Sequence, residues 1–456
     1  MARDQIDLTP IERRDELVAW LEQGVRPKAE FRIGTEHEKF AFTREHHRPV
    51  PYDGTRSIRA LLEGMQRLLA WQPIMEGPHI IGLFDADGGG AITLEPGGQF
   101  ELSGAQVDNV HQTASELTTH LADAREVAQP LRLGFLGIGM TPDWARADMP
   151  VMPKGRYKIM TAYMPKVGTL GLDMMYRTCT VQTNLDFASE ADMVKKLRVS
   201  LSLQPVATAL FANSPFTDGK PNGFLSFRSE IWRDTDNDRA GMLPWVFEPG
   251  MGFERWVDYA LDVPMYFIKR GDAYIDVAGK SFRDFFAGKL RGIADGRAVI
   301  SDWANHLSSI FPEVRLKRYL EMRGADSGPL PHLLALPALW VGILYDDVSL
   351  DAAWDLVKDW SAAERQQLRD EVPRLGLAAK IRGRSVADLA ADVVKLSRAG
   401  LARRDRRDAS GRDESRYLDV LDDRLARRKT PAEDLLDKYH GPWNGTVDPI
   451  YVEQAY

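Results

Sequence analysis

The chain has 456 residues, with 59 Lys or Arg against 66 Asp or Glu, a net charge of −7. Hydrophobic residues make up 44% and charged residues 27%, which excludes a mainly disordered chain and supplies a full core without staples. The acidic balance excludes a dedicated nucleic-acid binder, which carries a basic stripe. At about 150 residues per domain the length allows up to three domains or one large one.

Cys179 is the only cysteine, so no intramolecular disulfide can form. That points to a reducing compartment and a cytoplasmic protein. The N-terminal stretch MARDQIDLTPIERRDEL has no apolar signal region. No run approaches the 18 or so apolar residues of a membrane span, and Leu333 to Leu344 reads as a buried helix.

In chain order, Thr9, Pro10 and Glu12 predict a helix start, with Leu17, Val18 and Leu21 at helical spacing and Gly24 as its stop. Phe31 to Phe42 changes to a period of two, the mark of a strand. Ser57 to Trp71 predicts an amphipathic helix. Ile92 to Ser103 predicts a second strand with a Pro-Gly-Gly break inside it, and Asn109 to Ala128 another helix. Met140 to Asp173, rich in Met, Pro and Gly, reads as a long functional loop. Met175 to Phe187 predicts a strand, Ala191 to Ala212 a helix kinked at Pro205, and Leu316 to Arg323 a short strand. From Leu333 onward the pattern is mainly helical, with an Arg-rich solvated run near Leu401 to Arg416. The whole chain, 1–456, reads as one catalytic domain, of which 333–456 is the helical C-terminal part. The strands are polar on one face and apolar on the other. That alternation predicts an α+β fold, its antiparallel sheet backed by helices and open on one side.

Residues two apart on a strand share a face. Glu36 and Glu38 lie together on the first strand. Glu95, Gln99 and Glu101 share a parity on the second, provided that the glycine break adds no bulge. Thr178, Thr180, Gln182, Asn184 and Asp186 align on the third, and Glu321 and Arg323 on the fourth. Carboxylates gathered in one cleft repel each other unless cations neutralise them. Magnesium, a hard cation that bridges carboxylates to phosphates, is the natural one. Solvated faces of edge strands are the alternative. By the same parity Arg177 and His37 point away, and Cys179 is a buried free thiol. Gly88-Gly89-Gly90 lacks the ending of a phosphate-binding loop, and Asp85 and Asp87 suit a turn or an outer metal contact.

GTEHEKF at 34–40, TLEPGGQFELS at 93–103, MPKVGTLGLDMMYRTCTVQTNLDF at 164–187, ALFANSPFTDGKPNGFLSFRSEIW at 209–232, YALDVPMYF at 259–267 and FPEVRLKRYLEMRGAD at 311–326 closely resemble plant-type glutamate–cysteine ligase. The likeness extends to Leu436–Tyr456. It implies a curved, mostly antiparallel sheet forming a funnel, as in glutamine synthetase. It also implies ATP-dependent joining of the glutamate γ-carboxylate to the cysteine amine through a γ-glutamyl phosphate, the first step of glutathione synthesis.

Carried over from that resemblance, Glu36, Glu38, Glu95, Glu101 and Glu321, with Gln182 as a neutral ligand, hold two or three magnesium ions against ATP. Arg323 binds phosphate, and Glu38 can accept the amine proton. Arg156 and Arg228 match positions that grip glutamate, and Tyr266 one near the cysteine pocket, with a core tyrosine as its rival. Lys154 and Lys166 could approach phosphates. Partners are the three small substrates, with no nucleic acid or membrane, and the chain is a monomer or homodimer. Plant members are described as switched by disulfides, which Cys179 alone cannot provide. Ligation of glutamate to another amine, or an inactive glutamate-binding relative, remain the alternatives.

Overall fold

The computed structural model describes residues 6–290, 293 and 296–456. Helix α1 (Arg14–Glu22) begins later than Thr9 and Pro10 suggest. Pro10 instead pairs with Val299, and the Ile11 N–H donates to the Ala298 carbonyl, so this segment is extended. The Glu16 carboxylate, accepting the Glu12 N–H at 2.8 Å, caps the helix in their place.

The central sheet is antiparallel throughout. Its strands are β1 (Ile33–Thr43), β2 (Gln72–Glu76), β3 (His79–Phe84), β4 (Ala91–Leu94), β5 (Phe100–Ser103), β6 (Leu133–Leu136), β7 (Thr180–Leu185), β8 (Val314–Leu316) and β9 (Leu320–Asp326). The order is β8-β9-β7-β1-β5-β4-β3-β2, with β6 pairing the C-terminal half of β1. Two expected single strands are hairpins. Ile92–Ser103 folds back as β4 and β5, and the Leu316–Arg323 region as β8 and β9.

The β4–β5 loop explains why. Gly98 has φ +82°, the left-handed residue that closes a three-residue hairpin loop after Pro96 and Gly97. A Cβ on Gly97 would lie 2.4 Å from the Tyr176 carbonyl oxygen, so the loop packs against chain that only glycine admits.

Helices α2 (Ile58–Leu69), capped by Ser57, and α3 (Val110–Ala128), capped by Asn109, meet their expected positions. The expected loop 140–173 contains helix α4 (Gly155–Tyr163), and α5 (Gly171–Arg177) replaces the first three residues of the expected strand 175–187. Helices α6 (Glu190–Leu210) and α7 (Phe227–Ile231) follow, and α8 (Leu330–Leu344) is buried along nearly its whole length. No single helix among the described residues is long and apolar enough to cross a membrane. Of the Arg-rich run, Arg404 pairs with the fully buried Glu414 and Arg416 with Asp408.

One face of the sheet is dry. Ile33, Leu102, Val181, Leu185, Leu320 and Met322 pack into the core that α6 and α8 also fill. On β1 the opposite face changes character along its length. Glu36 and Glu38 share a parity with Phe40 and Phe42, which are buried in a second core with α2. The acidic part of β1 therefore lies over the open end of the sheet. The C-terminus returns to the same sheet, where Ala455 bridges Leu136 and the Tyr456 N–H donates to Phe135.

Candidate active site

A cavity of about 460 Å³ opens over the polar face of the sheet. Strand register builds its floor. Glu38 faces Glu101 across β1 and β5, and Thr93 faces Glu101 across β4 and β5. Glu36 faces Gln182 across β1 and β7, and Glu321 faces Asn184 across β7 and β9. The row spans four gaps between strands, roughly 19 Å at about 4.8 Å each. Asn184 ties β7 to the neighbouring β1 by donating to Glu36 at 2.9 Å.

Glu36, Glu38, Glu95 and Glu101 all line the cavity. Glu95 reaches it from the hairpin loop, where its N–H donates to the Gln99 carbonyl. Gln99 is structural, since its amide accepts the Gly97 N–H and donates to the Met175 and Thr178 carbonyls. Burial, then Glu95 and Glu101, push the Glu38 carboxyl well above the ordinary carboxylate range, despite the Thr180 N–H at 2.9 Å. Burial and its neighbours Glu36 and Glu95 push Glu101 up to about 8, although Thr93 Oγ1 donates to it. Arg228 near Glu38, and Lys154 and Arg156 near Glu95, offset only part of this repulsion.

The opposite wall has a surplus of positive charge. Arg315, Lys317 and Arg323 line the cavity at the β8–β9 end. Glu321 sits behind them, fully buried and outside the cavity lining, 2.7 Å from Arg315, 3.5 Å from Lys317 and 2.6 Å from Arg323. Burial opposes its ionisation, but the three cations prevail and hold its carboxyl well below the ordinary range. Arg323 also donates to Gln182 Oε1 at 2.9 Å, which fixes both cavity-lining side chains. Its position in the register shift between Met322 and Ala325 turns β9 there. A single strand over Leu316–Arg323 leaves Arg315 outside it and gives Lys317 no place in a turn. As a hairpin turning at Lys317–Tyr319, the segment puts Arg315 opposite Glu321.

Arg228 lines the cavity from α7 while 3% exposed. Its Nη2 donates to the Arg323 carbonyl at 3.1 Å, and its Nε and Nη1 have no partner. Ser226 and Ser214 fix this helix, and Asp326 accepts both hydroxyls. Arg156 lies 5.0 Å over the Tyr157 ring, near Glu95, and also lines the cavity. Lys154 lines it too, but its ammonium donates to the Leu94 carbonyl at 2.7 Å.

Other expected residues lie elsewhere. Tyr266 is 1% exposed and does not line the cavity. Its hydroxyl donates to Asp236 at 3.1 Å, and Arg239 stacks 3.7 Å over its ring. Its aromatic body makes it a core anchor. Lys166 is exposed outside the cavity. Arg177 points away, but from a helix, into Asp173 and Asp218. His37 is buried behind the sheet beside His120, and Cys179 is a buried free thiol. Asp85 closes a surface turn with Asp87.

Among the described residues no group of three or more His, Cys, Asp or Glu side chains is arranged to hold a metal ion by itself. Magnesium seldom needs such a group, being held by one or two carboxylates and by substrate phosphates.

The model of glutamate–cysteine ligase family 2 (GCS2) matches residues 32–453. The chain belongs to this family. It is 56% identical over 443 residues to the chloroplastic glutamate–cysteine ligase of Nicotiana tabacum, covering 97% of this chain and 83% of that one. It is 52% identical over 453 residues to chloroplastic glutamate–cysteine ligase B of Oryza sativa subsp. japonica, covering 99% and 89%. A crystal structure of the Francisella tularensis glutamate–cysteine ligase in complex with AMP superposes with TM-score 0.59 at 13% identity, over 93% of this chain and 87% of that one. At that identity the match establishes a shared fold, the open glutamine-synthetase-like sheet.

Proposed function

We propose that this cavity is where the chain joins the γ-carboxylate of glutamate to the amine of cysteine, with ATP, through a γ-glutamyl phosphate. One observation carries the placement: four buried or half-buried carboxylates and three buried or half-buried cations at the β8–β9 end line a single cavity. A polyphosphate with divalent cations complements both sets at once.

A free carboxylate does not acylate an amine, because its leaving group is oxide. Attack of the γ-carboxylate on the γ-phosphorus of ATP releases ADP and gives an acyl phosphate. Attack of the cysteine amine on that acyl carbon then releases phosphate and forms the amide. The ammonium protons need an acceptor, and we assign Glu38, a carboxylate that lines the cavity. Arg323 neutralises charge on the transferring phosphoryl group.

Glu36, Glu38, Glu95 and Glu101, with Gln182, are the residues that would hold magnesium, two or three ions in our reading. Bound there, the metal offsets phosphate charge. The fit rests on the donors, hard carboxylate and amide oxygens gathered on one side of the cavity, where crowding raises the proton affinity of Glu38 and Glu101. Glu321, committed to three cations, fits an anchoring role better than a ligand role. Arg228, with two free donors, is assigned to a glutamate carboxylate, and Arg156 to the same substrate. Arg228→Lys should raise KM for glutamate about tenfold or more while leaving KM for ATP little changed, because a lysine cannot reproduce the fork. Initial-rate measurements with each substrate varied check this.

We also read residues 1–456 as one catalytic unit, since strands from 33 to 326 and the C-terminal residues share one sheet. The lone buried Cys179 suits a cytoplasmic setting, whereas the plant relatives are named as chloroplastic. The function is tested by ADP release with glutamate and cysteine, serine or ammonia. Cysteine should be much the fastest, and equal rates would refute its assignment.

A further inference from the structure

Two of the three cations at the β8–β9 end have no role in the assignments above. Glu321 pairs with Arg315, Lys317 and Arg323, and Glu36 on the cavity floor also acts on Lys317 and Arg315, so two carboxylates face three cations and one positive charge stays in excess beside the cavity. Such a buried surplus calls for an anion.

The two unassigned cations differ in what they have free. Arg315 Nη1 donates to the Ser308 carbonyl at 2.7 Å and to Ile310 at 3.1 Å, and its Nη2 donates to Glu321 at 2.9 Å. Those contacts tie its terminal nitrogens to protein. Lys317 is 7% exposed and lines the cavity, yet its ammonium has only long contacts, 3.4 Å to the Tyr319 hydroxyl and 3.5 Å to Glu321. An ammonium carries three N–H donors, so this one retains donor capacity at the wall.

We propose that Lys317 is a phosphate-binding residue for ATP, working beside Arg323, and that Arg315 is a positioning residue that fixes Glu321 and thereby both cations. The inference rests on the reading of the cavity as the ligase site. Phosphate is favoured over a substrate carboxylate because a compact ammonium suits a phosphate oxygen, whereas Arg228 already offers the planar fork a carboxylate prefers.

Lys317→Gln in the full chain should raise KM for ATP about tenfold or more, with KM for glutamate and cysteine within about twofold, and Lys317→Arg should restore part of the loss. An unchanged KM for ATP, or a rise confined to glutamate, would overturn the proposal. Labelling of the unaltered chain avoids dependence on the variant's folding. Reductive methylation of Lys317, followed by mass spectrometry, should be slowed by ATP and not by glutamate, and methylation indifferent to ATP would overturn the proposal. Failure of the underlying reading looks different, since the unaltered chain would then release no ADP with glutamate and cysteine.

Discussion

Glu38→Gln should lower turnover on the order of 100-fold or more, the scale of losing one electrostatic partner of the reacting charge, without weakening the metal-free fold. Glu38 is half-buried, faces Glu101 in register and is opposed by Glu95. The amide keeps an acceptor oxygen for the Thr180 N–H and removes one charge from a self-repelling row. Thermal melting without magnesium should therefore give a midpoint at or above that of the unaltered chain. In the unaltered chain magnesium should raise the midpoint, because a ligand that binds only the folded state stabilises it. In the variant that increment should shrink. Near-normal turnover of Glu38→Gln at limiting magnesium would remove Glu38 from the site.

The same row sets a pH dependence. Glu101 titrates near 4.5 when unfolded and is pushed up to about 8 in the fold. Between those values the folded state holds a proton that the unfolded chain releases. Its contribution is thus fully present below about 4.5, is lost as pH climbs, and levels off above about 8. Glu101→Gln should flatten that part of the metal-free stability profile. Magnesium should bind more tightly as pH rises through this window, because binding must expel the proton.

Much of this site was legible because a strand has a period of two. Glu36, Glu38 and Gln182 fall on one face by counting alone, and the register joins them as counted. Glu101 reaches the same face by a different route. Its parity with Glu95 was read along one strand, whereas the chain reverses at Pro96–Gly98, and Thr93 rather than Glu95 is its cross-strand partner. The Pro-Gly-Gly sequence is the signal of that turn, since Gly98 supplies the left-handed conformation that closes it. The hairpin at Lys317–Tyr319 has no glycine or proline to announce it, which is why Arg315 and Lys317 stayed hidden. Tyr266 shows another limit. Its motif is distinctive, but its hydroxyl partner Asp236 is 30 residues earlier in the chain and no local pattern joins them.

Glu321→Gln should cost both activity and stability, unlike Glu38→Gln. Both are glutamates on one face of one sheet, and they differ in their surroundings. Glu38 is crowded by carboxylates, so neutralising it relieves repulsion. Glu321 is ringed by Arg315, Lys317 and Arg323, so neutralising it leaves three cations with Glu36 as the nearest remaining counter-charge to Arg315 and Lys317. Breaking a buried pair from one side costs about 3–5 kcal/mol, a large share of the 5–15 kcal/mol or so that holds a typical domain folded. Denaturant titration should show the loss as a lower midpoint. Salt of a strongly binding anion such as pyrophosphate should recover part of it, since an anion between Lys317 and Arg323 replaces some of the missing charge. A Glu321→Gln chain as stable as the unaltered one would mean that the cationic wall is held together without its carboxylate.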